Sequence, residues 1–150
     1  MLTACGGFLL AVLWMDLIFD SQVLPHRAEP ELPTEVIESI AAYYRRATTT
    51  SRPMSALIAL VMVILLAGLV FQLLRGHHPL WVPLLALVLA LAAIAPAALR
   101  TVPNAVRLGS RVDPFPEQSR LARLILRDHI TSAICMLAFV ILWSVQPVFT

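Results

Sequence analysis

The stretch PMSALIALVMVILLAGLVFQLL, residues 53–74, contains no charged side chain. A transmembrane helix needs about 20 consecutive, mostly apolar residues, because the hydrocarbon core of a bilayer is about 30 Å thick. This stretch is therefore long enough to cross a membrane. It predicts an integral membrane protein whose polar segments lie at the two membrane surfaces.

The composition of the whole chain also indicates a membrane protein. Of its 150 residues, 59% are hydrophobic and 13% are charged, against about 45–50% and about 25% in soluble domains. Sequence motifs for a phosphate-binding loop, a GxSxG nucleophile or an HExxH zinc site do not occur. The charges lie in loops rather than on a basic face, so no nucleic-acid partner is expected. Cys5 and Cys135 form no CxxC pair and are expected to be apolar fillers.

Hydropathy predicts four membrane spans in a single domain of residues 1–150. Two further uncharged runs, Pro79–Leu99 and Ile130–Thr150, resemble the first one. The N-terminal run is interrupted by Asp16 and Asp20, yet it remains apolar enough to form a span. The predicted spans cover about residues 3–24, 53–74, 79–99 and 130–149.

The arginines predict the orientation of these spans. Ten of the eleven lie in the two longer loops, residues 21–52 and 100–129, whereas only Arg75 lies between spans two and three. The positive-inside rule places the arginine-rich side in the cytoplasm. Both termini are then expected outside the cell membrane, with Asp16 and Asp20 in the cytoplasmic half of span one.

Each longer loop predicts an amphipathic cytoplasmic helix. In residues 31–50, apolar side chains recur on one face, and a break is expected near Arg52-Pro53. Residues 116–129 repeat this pattern and are expected to run directly into span four. Their arginines are expected to attract anionic lipids at the membrane surface. A kink is expected between Pro96 and Pro103, at the end of span three.

Asp16 and Asp20 are the most informative polar residues. Because they are four positions apart, they lie on one face of the first span. An Asp at the centre of a membrane helix costs about 2.5–3.5 kcal/mol and usually has a partner inside the bundle. Their partners are expected at the same depth, whereas His77 and His78 are expected at the far end. Candidate partners are His26, Tyr43, Tyr44, Arg45, Arg46, Asn104, Arg107, Arg127, Asp128 and His129.

Three interpretations of this polar cluster remain open. In the first, the two carboxylates form ion pairs with arginines and fix the packing of the helices. In the second, Asp16, Asp20 and His129 exchange protons with a lipid-soluble substrate as general acid and base. In the third, Asp16, Asp20, His129 and His26 bind a metal ion or haem, although no ligand motif of known spacing is present.

Three stretches resemble the anthrone-oxygenase-like family of small four-span membrane proteins. They are YYRRATTTSRPM (43–54), TVPNAVRLGSR (101–111) and RLARLILRDHITSAI (120–134). The resemblance implies a four-helix membrane bundle. In a few fungal relatives it also implies oxidation of an anthrone to an anthraquinone without a cofactor. Asn104, Arg107 and His129 fall at positions that are polar in the family.

The sequence therefore predicts an all-α integral membrane four-helix bundle with two amphipathic cytoplasmic helices. The leading hypothesis is an enzyme that acts on a lipid-soluble aromatic or quinol-like substrate without a cofactor or metal. Asp16, Asp20 and His129 are its predicted catalytic residues, and Asn104 and Arg107 are its predicted substrate-binding residues. The alternative is a structural or accessory membrane subunit in which the polar cluster only fixes helix packing. The predicted location is a multi-pass position in a bacterial inner membrane, with the lipid bilayer as partner.

Overall fold

A computed structural model describes residues 1–76 and 79–145, apart from the side chain of Arg52. His77, His78 and the last residues of the predicted fourth span lie outside the described residues. All regular secondary structure in the described residues is helical. Its helices are α1 (Leu2–Asp20), α2 (Thr34–Arg45), α3 (Arg52–Arg75), α4 (Trp81–Pro96), α5 (Val102–Ser110) and α6 (Phe115–Val145).

Four segments of the described chain are long and apolar enough to cross a membrane, which confirms a small multi-pass membrane protein. They extend over Leu2–His26, Pro53–Arg75, Trp81–Ser110 and Phe115–Val145. Helix α1 packs against α3 and α6, and α4 also packs against α3 and α6. The four long helices therefore form a closed ring, in which the first and last spans are neighbours.

The apolar core of this ring is built from the inward faces of the four helices. Leu65 and Leu69 of α3, Ala86 and Ala90 of α4, and Phe139 of α6 are fully buried there. The outward faces carry exposed apolar side chains, as expected of helices whose surroundings are lipid.

Helices α1 and α6 approach each other closely because a glycine lies at their contact. A Cβ atom on Gly6 would lie 2.7 Å from the Phe139 ring. A side chain at this position would force the Phe139 ring to move, so glycine allows the close approach of α1 and α6.

A second core lies at one end of the ring, where α2 and α5 pack against the first half of α6. We call this the capped end. Ile37 and Ile40 of α2 are fully buried there, together with Leu108 of α5 and Leu121 and Ile125 of α6. The apolar face of α2 therefore packs on protein, and it is not left free for the membrane surface.

Irregular turns connect the spans to the capped end. A π-helical turn at Arg46–Thr50 and a non-helical Ser51 separate α2 from α3, close to the break expected at Arg52-Pro53. A second π-helical turn, Ala97–Thr101, follows Pro96, and α5 begins with Pro103 in its first turn. The sequence predicted the kink between these prolines but not the helix that follows it. Residues 116–129 continue into span four without interruption, as expected.

Helices α2 and α5 are in backbone contact at Gly109. A Cβ atom there would lie 2.8 Å from the backbone nitrogen of Arg45 and 3.1 Å from its Cα. Backbone atoms inside a helix cannot move aside as a flexible side chain can. Gly109 therefore sets the separation of the two helices that form the capped end.

We expect Gly109→Ala to lower the free energy of unfolding by about 1–3 kcal/mol, because the added methyl group would force α2 and α5 apart. Unfolding of the detergent-solubilised protein, followed by circular dichroism, measures the change. Gly7→Ala is the matched control, since nothing lies within 4 Å of a Cβ atom at that helical glycine. The control should be about 0.5–1 kcal/mol more stable than the wild type through helix propensity alone. Equal effects of the two substitutions would contradict the proposed backbone contact.

Candidate functional site

The centre of the polar cluster is a carboxylate–imidazole pair between the first and last spans. Asp20, at the end of α1, is 0% exposed, and His129 of α6 is 7% exposed. The Nδ1 atom of His129 lies 2.6 Å from Oδ2 of Asp20. An ionised Asp20 can only accept hydrogen bonds, so with that form the imidazole carries its hydrogen on Nδ1. That tautomer leaves the lone pair of Nε2 free to accept a proton.

Asp16 faces the other nitrogen of the same imidazole. Its Oδ2 atom lies 3.8 Å from Nε2 of His129, too far for a hydrogen bond but close enough for an ion pair. The side chain of Asp16 is 17% exposed, so this carboxylate lies nearer the surface than Asp20. The two carboxylates therefore flank His129, with the buried one fixing the ring and the more exposed one facing its basic nitrogen.

Two adjacent tyrosines of α2 complete the cluster. The hydroxyl of Tyr44 donates to Oδ1 of Asp20 at 2.6 Å, and the hydroxyl of Tyr43 donates to Oδ1 of Asp16 at 2.6 Å. Tyr43 also stacks on Phe19, with the ring centroids 4.0 Å apart. Each carboxylate of α1 thus receives one phenol hydrogen bond from the helix that caps the bundle.

Both phenols remain protonated far into the alkaline range. Burial raises the pKa of Tyr44 well above its ordinary value of about 10, and the negative charge of Asp20 raises it further. The pKa of Tyr43 is also raised, first by burial and then by its hydrogen bond to Asp16. The tyrosines therefore act as fixed hydrogen-bond donors to the two carboxylates.

A separate polar group lies beside His129 on α6. Asp128 is 5% exposed and accepts hydrogen bonds from Nη2 of Arg100 at 3.1 Å and from the hydroxyl of Thr101 at 3.3 Å. One turn further along α6, the hydroxyl of Ser132 donates to the Ala93 carbonyl at 3.1 Å. These bonds tie α6 to the end of α4 and to the turn that follows it.

The structure brings Asp16, Asp20 and His129 together, but it engages the predicted substrate-binding residues elsewhere. The Arg107 guanidinium lies 2.8 Å from Asp113 and 3.4 Å from Glu117. Asn104 lies on the same short helix, α5, and is partly buried. No hydrogen bond or ion pair joins Asn104 or Arg107 to the cluster among the described residues.

The partners of the carboxylates differ from those of the ion-pair interpretation. Among the described side chains, no arginine forms an ion pair with Asp16 or Asp20. His26 pairs with Glu29 at 2.9 Å, away from the cluster. The titratable partner of both carboxylates is His129, and the phenols supply the remaining hydrogen bonds.

The donor set does not have the form of a metal site. Within residues 1–76 and 79–145, no group of three or more His, Cys, Asp and Glu side chains is arranged to hold a metal ion. Each oxygen of the Asp20 carboxylate is already hydrogen-bonded, one to His129 and the other to Tyr44. Cys5 and Cys135 are both free thiols packed among apolar side chains.

Tyr43 and Tyr44 are the site residues that the predicted catalytic set left out. Their position in YYRR, immediately before the second span, marks them only as candidate partners at the depth of Asp16 and Asp20. Phenols are the donors that an apolar site can hold beside a carboxylate without adding a charge.

No protein-family model matches this chain, and no curated protein or solved structure gives a significant match. The interpretation of the site therefore depends on its own geometry.

Removing the phenol oxygen of Tyr44 should destabilise the fold more than the same change at Tyr43. Tyr44→Phe leaves an oxygen of the buried Asp20 without its donor, which costs about 1–3 kcal/mol. Tyr43→Phe affects Asp16, which is 17% exposed and not fully enclosed by protein, and should cost about 0.5–1.5 kcal/mol. Chemical unfolding in detergent measures both variants. Equal losses would show that the burial of Asp20 does not determine the strength of its hydrogen bond.

The two tyrosines are the only ones in the chain, so their ionisation can be followed directly by tyrosinate absorbance. In the folded protein, no tyrosinate should form at pH 10–11, whereas the unfolded chain should titrate near pH 10, at about the ordinary pKa of tyrosine. Above that pH, the unfolded state releases protons that the folded state retains. The free energy of unfolding should therefore fall as the pH rises above about 10. A normal titration in the folded protein would contradict the buried phenol–carboxylate bonds.

Proposed function

We propose that the Asp16–His129–Asp20 cluster transfers protons to and from a weakly acidic, lipid-soluble substrate within the membrane. The observation that carries this proposal is the imidazole held between two carboxylates, with Nδ1 bonded to Asp20 and Nε2 facing Asp16. A carboxylate that holds the imidazole in one tautomer is a recurring arrangement for a general base.

Each residue has a distinct role in this proposal. Nε2 of His129 accepts the proton, and Asp20 keeps the ring oriented and accepts the hydrogen bond from Nδ1. The imidazolium that forms lies between two negative charges, so Asp16 stabilises it across 3.8 Å. Tyr43 and Tyr44 hold the carboxylates in place as neutral donors.

The substrate class that fits is an aromatic ketone or phenol that dissolves in the bilayer and has a weakly acidic C–H or O–H group. In an anthrone-like substrate, His129 would remove a proton from the ring methylene and leave an enolate-type anion, which reacts with dioxygen. One oxygen atom becomes the new carbonyl, and the other leaves as water, so anthrone and O2 give anthraquinone and H2O. The resemblance of residues 43–54, 101–111 and 120–134 to the anthrone-oxygenase-like family supports this choice.

A structural role for the cluster is the second candidate, and it also has a specific observation in its favour. Asp20 is fully buried, and both of its oxygens have partners within the protein. Two cavities on helices of the capped end, moreover, are lined by other residues. In this role, the cluster would join α1, α2 and α6, and the protein would be an accessory membrane subunit.

The proposed location is a cell membrane of the bacterial inner-membrane type, with the capped end in the cytoplasm and both termini outside. The arginine distribution supports this orientation, since ten of eleven arginines lie in residues 21–52 and 100–129, which include the helices of the capped end.

The decisive experiment compares His129→Asn with the wild type. The amide of Asn can still donate a hydrogen bond to Asp20 in place of Nδ1, but it cannot accept a proton at neutral pH. We expect the rate of oxygen-dependent oxidation of anthrone- or hydroquinone-like substrates to fall at least about 100-fold. Oxygen uptake by the protein in lipid nanodiscs measures that rate. Thermal unfolding of the same samples shows whether the fold is retained.

Asp16→Asn and Asp128→Asn form a matched pair for the same assay. Both replace a carboxylate with an amide of similar shape, but only Asp16 faces Nε2 of His129. The proposal expects a large loss of rate for Asp16→Asn and a small one for Asp128→Asn. Unchanged rates in both His129→Asn and Asp16→Asn, with folding lost only in Asp20→Asn, would favour the structural role.

A further inference from the structure

A cavity at the beginning of α6 has the charge and position of a phosphate site. Its volume is about 400 Å³, and its lining combines three arginines with apolar walls. Sites that hold small molecules measure about 300–1,000 Å³. The lining residues are Pro30, Pro116, Arg120, Arg123, Leu124 and Arg127.

The positive charge in this cavity is only partly compensated. Arg120 pairs with Glu117 through two contacts of 2.7 Å. Arg127 is exposed and forms no ion pair among the described side chains. Arg123 donates from Nη2 to the Glu29 carbonyl at 2.6 Å, while its buried Nε–H has no acceptor within the described residues. Two guanidinium groups, those of Arg123 and Arg127, therefore remain without a carboxylate and can pair with an anionic ligand.

The cavity lies in line with a lipid-facing stripe on the same helix. After Arg127, the exposed apolar residues of α6 follow at intervals of three or four, which places them on one face. These residues are Ile130, Ile134, Leu137 and Ile141, exposed by 38–63%. The change from arginine to isoleucine between residues 127 and 130 marks the boundary between the headgroup region and the hydrocarbon.

The length of the stripe matches one leaflet. At about 1.5 Å per residue, Ile130 to Ile141 covers about 16 Å, close to half of the roughly 30 Å hydrocarbon core. A phospholipid whose acyl chains lie along this stripe would hold its phosphate beside Arg127, about one helical turn before Ile130.

We propose that the cavity binds the phosphate group of an anionic phospholipid whose acyl chains lie along the α6 stripe. Arg120, Arg123 and Arg127 donate to the phosphate oxygens, and Pro30, Pro116 and Leu124 form the apolar walls around the headgroup. The site is specific for a lipid because the arginines and the apolar stripe share one face of a single helix.

The test is lipid binding by the purified full chain, counted by native mass spectrometry and by the shift in unfolding temperature. The probes are phosphatidylglycerol, phosphatidylcholine and inorganic phosphate. We expect phosphatidylglycerol to bind and stabilise the protein, with little effect from the zwitterionic lipid. Inorganic phosphate should also have little effect, because it lacks chains to occupy the stripe.

Arg127→Gln and Arg120→Gln should each weaken the binding of phosphatidylglycerol about fivefold, the effect of one arginine at an anionic membrane surface. Arg46→Gln is the matched control, because Arg46 is an exposed arginine of the capped end outside the cavity. It should change the affinity less than twofold. Both test residues are exposed, so the variants should unfold at the wild-type temperature when no lipid is added.

Three results would overturn the proposal. Equal losses in Arg46→Gln and Arg127→Gln would show that the attraction is spread over the whole capped end. Equal binding of phosphatidylcholine would show that the charge of the lipid is not recognised. Stabilisation by inorganic phosphate equal to that by phosphatidylglycerol would show that the cavity accepts a free anion and that the stripe plays no part.

Discussion

The hydrogen bonds that converge on Asp20 determine most of the arrangement at the capped end. A carboxylate placed inside a bundle of apolar helices is stable only when donors surround it, because water is not available there. One donor, His129, comes from the last span, and the other, Tyr44, comes from α2. Helix α2 therefore folds back onto the bundle. Its apolar face packs in the second core, and its backbone contacts α5 at Gly109.

The long helix α6 connects the two sites inferred for this protein. Its first three turns carry the arginine cavity, its next turn carries Asp128 and His129, and the remainder lies in the apolar ring. Asp128 and His129 have different partners: Asp128 bonds to Arg100, and His129 bonds to Asp20. A single helix thus fixes the depth of the imidazole relative to the membrane surface at which the arginines lie.

Hydropathy predicted the four spans because a bilayer imposes a length and a polarity that can be read along the chain. The topology also placed Asp16, Asp20 and His129 at one depth. The predicted topology does not determine how each helix is rotated about its own axis. That rotation decides which side chains meet, such as Arg107 with Asp113 and Tyr44 with Asp20. Helix α5 was not predicted, because nine residues give a weak periodic signal and its stability comes from packing against α2 and α6.

The neighbouring positions of α1 and α6 in the ring have a consequence for biosynthesis. Asp20 and His129 are separated by 109 positions, and a ribosome adds about 5–20 residues per second. His129 is therefore synthesised roughly 5–20 s after Asp20. Tyr43 and Tyr44 follow Asp20 much sooner, so α2 can donate to the carboxylates while the later spans are still being made. The order of the chain thus gives the acidic span uncharged hydrogen-bond donors before the imidazole is added.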